Sequence, residues 1–236
     1  MRKVLAPLST AMALALVSGI GATSASAQDA DSKFQVKVLA TAVLPDGEID
    51  NVLTAGPLPA GTQTEANNNV VPTVAIEYFF TPNFSLETIC CVTQHDVDVS
   101  AGALAGAEAV SDAKVIPATF TLKYHFNPGG VSPYVGAGPT YFIWIDSDPG
   151  ADTIPLGVTN QTMSDEIGFA LQAGIDVPIN DAGFSLSLDA KKYWVGSTAT
   201  WYAGNTVAIQ TEHNIDPWVL SAGFGFRFLS KIRQAT

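Results

Sequence analysis

Charge is scarce in this chain, cationic charge most of all: Lys and Arg number 11 in 236 residues, against 22 Asp and Glu. Proteins that grip nucleic acid release counterions with clustered Lys and Arg. No such cluster occurs here, and the net charge of −11 opposes polyanion binding, so no nucleic-acid partner is expected. Histidine is limited to three residues, and cysteine to the adjacent pair Cys90 and Cys91. In a strand those two point to opposite faces, and a disulfide between them would strain the backbone. They read as free thiols used as small apolar side chains. With no Cys-x-x-Cys and no ligand-spaced histidines, neither a metal nor a cofactor is expected. No nucleophile, base and orienting group fall into a motif, so the chain does not read as an enzyme and no catalytic residue is assigned.

Long apolar runs are also missing. Beyond the first 27 residues no stretch of 18 apolar residues exists, which excludes a membrane-spanning helix. Yet the composition is 47% hydrophobic and 14% charged. Both facts are met by a β-barrel in a membrane, whose strands turn apolar side chains outward at every second position.

The N-terminus "MRKVLAPLSTAMALALVSGIGATSASA" has a basic start, an apolar centre and small residues before Ala27. This is the pattern of a cleaved secretory signal. The expected organisation is therefore a signal peptide over 1–27, a barrel over 28–228 and a short tail over 229–236. Arg2 and Lys3 would leave with the signal, making the mature chain more acidic still.

Eight strands are predicted from alternation and turn residues: Phe34–Val43, Val70–Phe80, Phe84–Thr93, Lys114–Phe126, Pro133–Ile145, Ser164–Ile179, Phe184–Val195 and His213–Phe228. Their connections alternate in length. Thr81–Asn83, Asn127–Ser132 and Asn180–Gly183 are short, whereas Leu44–Asn69, Gln94–Ala113, Asp146–Met163 and Gly196–Glu212 are long and read as loops. Short periplasmic turns and long outer loops mark an eight-stranded antiparallel up-and-down transmembrane β-barrel in the outer membrane of a Gram-negative bacterium.

The faces decide between a membrane barrel and a soluble one. In the sixth strand Ile167, Phe169, Leu171, Ile175 and Val177 oppose Glu166, Gly168, Gln172, Gly174 and Asp176. In the last, Leu220, Phe224, Phe226 and Phe228 oppose Ser221, Gly223, Gly225 and Arg227. Eight strands enclose barely enough room for their own side chains, so the glycine-rich face belongs inside and the bulky face meets lipid. Outer-membrane lipid is accordingly an expected partner.

Several stretches, in order, resemble the OmpW family of outer-membrane proteins: "VAIEYFFTPNFSLE", "QHDV", "VIPATFTLKYHF", "PYVGAGPTY", "FALQAGIDVPI" and "IDPWVLSAGFGFRF". The resemblance implies a narrow, mostly hydrophobic channel that small apolar molecules enter from outside and leave sideways into the membrane. It also implies insertion by the barrel-assembly machinery, which reads a terminal phenylalanine. Here Phe228 is followed by "LSKIRQAT", and Lys191 takes a lumen position where relatives often carry an aromatic, so a polarised or narrowed tunnel is expected there.

Read without the family, the lumen divides in two. Lys37, Glu77, Glu87, Lys123, His125, Asp176, Asp189 and Arg227 fall in the periplasmic half, with Lys191 close by, and must pair into a network. Farther out, Leu39, Ile89, Phe142, Trp144 and Val219 are expected to line a pocket for a small hydrophobic solute, with Ile89 at its floor. Pro72, Pro117, Pro139 and Pro217 either weaken the wall or mark strand ends and bulges. A barrel enzyme acting on outer-membrane lipid is the alternative, with His95 and His213 as solvated outer histidines beside Asp96 and Glu212. Receptor or adhesin use of the long loops is compatible with either.

The tail after Phe228 generates a test. Deleting residues 229–236 should leave assembly in the outer membrane intact or improved, scored by the heat-modifiable gel shift of membrane fractions; loss of the folded band would show that the tail takes part.

Overall fold

A chain whose large apolar residues recur at period two buries backbone polar groups in lipid only by pairing every strand, and a closed barrel does so without leaving an edge. A computed structural model describes residues 33–228 apart from 55 and 57. The expected signal peptide and the tail lie outside the described residues. The strands are β1 (Phe34–Leu44), β2 (Glu48–Thr54), β3 (Gln63–Ala66), β4 (Asn69–Phe79), β5 (Phe84–Cys90), β6 (Thr93–Ala101), β7 (Glu108–His125), β8 (Ser132–Pro149), β9 (Asn160–Met163), β10 (Glu166–Pro178), β11 (Phe184–Trp194), β12 (Gly196–Ala203), β13 (Thr206–Asn214) and β14 (Trp218–Phe228). Around the barrel they run β1–β4–β5–β7–β8–β10–β11–β14 and back to β1, every pair antiparallel. This is the expected eight-stranded barrel.

The long connections differ from the expected loops. They hold β2, β3, β6, β9, β12 and β13, and a single 3-10 turn at Ile154–Leu156. Here β2–β13–β12–β9 forms a four-stranded sheet, and β3 and β6 extend the barrel sheet beside β7. These strands stand beyond the lipid, where the outward face need not be apolar, so the alternation that marks a membrane strand fades while the ladder continues. Two expected strands are also interrupted. Phe84–Thr93 breaks at Cys91 and Val92, and His213–Phe228 breaks between Asn214 and Trp218, at Pro217 and at Asp216, whose φ is +29°.

Burial follows the inverted pattern of a membrane barrel. Ile167 is 78% exposed and Phe224 62%, whereas Lys123 and Glu77 are wholly buried. Aromatic pairs gather where the short turns close the barrel. Phe34–Tyr78, Phe84–Tyr124 and Phe184–Phe226 have ring centroids 4.9, 5.1 and 4.7 Å apart, forming the interfacial girdle at the periplasmic rim.

Close approach explains two inward glycines. A Cβ at Gly223 would strike the carbonyl of Val38 across the β1–β14 ladder, and one at Gly174 would strike the ring of Tyr134. Gly174 thus gives Tyr134 its place in the lumen. Gly174→Leu should overpack the lower barrel and cost about 1–3 kcal/mol, visible as a lower urea midpoint for unfolding from lipid vesicles. An unchanged midpoint would show that the ring moves aside without cost.

Candidate functional site

The period-two pattern sends one residue in two of every barrel strand into a lumen without bulk water, so each ionised group must find its counter-charge there. β1 supplies Lys37, β4 Glu77, β5 Glu87, β7 Lys123 and His125, β10 Asp176, and β11 Asp189 and Lys191. Glu77 and Glu87 sit opposite each other in the β4–β5 register, an arrangement that repels unless a cation intervenes. Lys123 does so, its Nζ lying 2.9 Å from Glu77 Oε2 and 2.8 Å from Glu87 Oε2. Lys37 Nζ lies 3.1 Å from both Glu77 Oε2 and Asp176 Oδ2, and Lys191 Nζ lies 2.7 Å from Asp189 Oδ1 and 3.2 Å from Glu87 Oε1. His125 Nε2 is 2.8 Å from Glu77 Oε1, which also accepts from the Ser85 hydroxyl at 2.5 Å. The guanidinium of Arg227 stacks on Phe79 at 3.7 Å from the ring centroid, at the periplasmic edge of the cluster.

Sequence reasoning missed several members of this network, Tyr134 and Gln172 the largest. Tyr134 donates its hydroxyl to Asp189 Oδ2 at 2.8 Å and offers its ring face to Lys123 Nζ at 3.7 Å. Gln172 donates to Glu87 Oε1 at 2.9 Å and Asp189 Oδ2 at 2.6 Å, and accepts from Thr121 at 2.6 Å. The signal available was parity, since both share the inward face with residues already assigned to it. Lys191, expected to narrow or polarise the tunnel, lines the base of the cavity with its ammonium held by Asp189 and Glu87.

One inward step outward, Leu39, Ala75 and Ile89 form a buried apolar layer directly above the ions. Over it lies a cavity with almost wholly apolar walls. All five residues expected to line a pocket do so: Leu39, Ile89, Phe142, Trp144 and Val219. Tyr193 and Met163, which were not expected, line it too. Trp144 faces inward, packed between the apolar cluster around Phe142 and the outer one around Val110 and Trp201.

At the mouth the two outer histidines overturn the expectation of solvated side chains. His95 and His213 are buried and line the cavity. His95 Nδ1 donates to the carbonyl of Asn67 at 2.6 Å while its Nε2 meets Thr93 Oγ1 at 2.8 Å. His213 Nδ1 donates to the carbonyl of Gly47 at 3.1 Å and Nε2 meets Thr211 Oγ1 at 2.7 Å. Each ring pins the first long connection onto a neighbouring strand, which the sequence could not reveal because the partners are backbone carbonyls distant along the chain. Burial pulls both rings below the ordinary imidazole value, against the opposing pull of those carbonyls and, for His95, of Asp96. With both nitrogens engaged, neither ring is placed as a free base for lipid chemistry.

The wall is interrupted beside the cavity. The β5–β7 ladder ends at Thr88 and Phe120, and pairing with β7 resumes only where Thr93 of β6 meets Val115. On the other side the β4–β5 register stops at Val74 and Cys90. Pro117 lies on the β7 edge of this gap and Pro72 on the β4 side, where neither can donate to a ladder. Pro139 pairs with Phe169 on its β10 side and falls where the β7–β8 ladder lapses between Thr140 and Ala137, and Pro217 is buried just before β14.

Comparison with known proteins bears on this arrangement. The model of the OmpW family matches residues 30–228. The chain is 29% identical over 205 residues to "Outer membrane protein W" of Vibrio cholerae serotype O1, covering 84% of this chain and 89% of that protein. It is 31% identical over 202 residues to the outer-membrane protein y4mB of Sinorhizobium fredii, covering 84% and 80%. The crystal structure of outer membrane protein OprG from Pseudomonas aeruginosa superposes with a TM-score of 0.76 at 22% identity, covering 85% of this chain and 98% of that one.

The site generates two tests. Lys123→Met leaves Glu77 and Glu87 short of their shared cation and should cost about 3–5 kcal/mol in urea unfolding; an unchanged midpoint would mean Lys37 and Lys191 suffice. At the mouth, the unfolded chain takes up protons before the folded one. The stabilising contribution of the two rings is then complete above about pH 6.5 and declines as pH falls below it. Amide exchange around Asn67 and Gly47 should accelerate from pH 7.5 to 5.5, and His95→Gln with His213→Gln should flatten that response.

Proposed function

The chain belongs to the OmpW family of outer-membrane proteins, and from that premise we propose that its barrel takes up small apolar molecules and releases them sideways into the membrane. It resides in the outer membrane of a Gram-negative bacterium, as its family and relatives do. One observation carries the proposal: an apolar cavity in the outer half of the barrel stands above a cluster of paired ions that crosses the lumen.

An apolar solute leaving water gains roughly 25 cal/mol for each Å² it buries, and the cavity offers walls such as Ile89, Phe142 and Val219 for that burial. Passing downward would require displacing Lys123 or Lys37 from carboxylates within 3.1 Å, which exposes uncompensated charge in a dry lumen. The interrupted wall at Cys91 and Val92 offers the other route. There the strands on either side are not joined by a ladder, and beyond them Val92 and Phe120 face the membrane. The outward face is surrounded by outer-membrane lipid, the natural acceptor. Insertion of the barrel by the assembly machinery is part of the same reading.

The test places a charge on the cavity floor. Ile89→Lys should abolish protein-dependent uptake of an apolar tracer by whole cells while the heat-modifiable band stays intact. Uptake at the native rate with an intact barrel would overturn the proposed route.

A further inference from the structure

The polar groups around the cavity are nearly all satisfied by one another. Thr41 Oγ1 meets Ser221 Oγ at 2.8 Å, Thr93 meets His95, Thr211 meets His213, and Lys191 is held by Asp189 and Glu87. Against that background, two lining atoms stand out. Thr73 Oγ1 and Trp144 Nε1 are buried, belong to residues that line the cavity, and have no hydrogen-bond partner among the described residues. Thr73 is only 2% exposed. Its side-chain neighbour is the thiol of Cys91, a weak hydrogen-bonding partner.

The chemistry of these two groups restricts what can satisfy them. An indole N–H only donates, so Trp144 requires an acceptor; a threonine hydroxyl can donate to the same acceptor. A carboxylate is a poor candidate, because the one lysine at the cavity edge already serves two acids. A pure hydrocarbon leaves both groups unpaired. Resting on the uptake reading above, we infer that the preferred cargo is a neutral apolar molecule bearing one hydrogen-bond acceptor, such as a ketone, aldehyde or ester, selected by Trp144 and Thr73.

Their placement gives the two groups successive roles. Trp144 pairs with Val115 and packs between the middle and outer apolar clusters, so an entering acceptor meets it first. Thr73 lies one inward step above Ala75, next to Cys91 where the wall is interrupted, so the acceptor reaches it near the exit. The cargo then exchanges one donor for another as it descends, with no stage at which its carbonyl is stranded.

The experiment compares 2-nonanone with nonane, on the full mature barrel in phosphatidylcholine nanodiscs, with binding corrected for protein-free discs. Native protein should bind the ketone on the order of tenfold more tightly than the alkane, and the ketone should shift the Trp144 indole N–H resonance downfield. Thr73→Val and Trp144→Phe should each shrink that ketone-to-alkane preference to about twofold, with the heat-modifiable band confirming the fold. Equal binding of the two probes by the native protein overturns the selection and leaves the uptake reading standing. Binding of neither overturns both. If a substitution prevents folding, the native ketone-to-alkane ratio and the indole shift still decide the matter.

Discussion

The arrangement depends on one constraint: an eight-stranded barrel has no room for water around the charges it encloses, so those charges must neutralise one another. Lys37, Lys123 and Lys191 interleave with Glu77, Glu87, Asp176 and Asp189, so that no lysine lacks a carboxylate within hydrogen-bonding distance. Tyr134 and Gln172 complete the lattice by filling the remaining lone pairs and covering the ammonium of Lys123. Such a cluster is stiff because its members are shared. Glu87 alone meets all three lysines, so moving one side chain disturbs the rest.

That stiffness defines what lies above. Because the floor cannot yield without separating charge, the apolar layer of Leu39, Ala75 and Ile89 closes off the cavity from below. Walls, floor and mouth therefore differ in kind: dispersion and burial in the middle, ion pairing beneath, and side chain to backbone hydrogen bonds at the top, where His95 and His213 tie down the first long connection. Beside the cavity, pairing with β7 is missing from Ile89 to Val92, opposite Ile116 to Thr119.

Much of this was legible in the chain because β-structure has a period of two. Parity alone sorted Phe169 and Leu171 outward and Lys123, Asp189 and Phe142 inward, and the alternation of short and long connections gave strand number and orientation. Parity says which wall a side chain leaves, not how far across the lumen it reaches. Tyr134 and Gln172 were on the correct face, yet their partners lie 17 to 85 residues away, and no local pattern encodes such a meeting. The outer strands were missed for a different reason. Above the lipid both faces tolerate polar residues, so Thr198, Gln210 and Asn51 pair into a sheet without the alternation by which a strand is recognised. The same blindness made His95 and His213 look solvated.

The reach of β7 and β8 carries a consequence of its own. Each runs for 18 residues, and at the usual rise and tilt such strands climb roughly 45 Å along the barrel axis, against an apolar band of about 25 Å. The strands beyond the apolar band consequently form a collar, and the upper cavity walls around Val110 and Trp144 stand on it, away from the lipid that surrounds the lower ones.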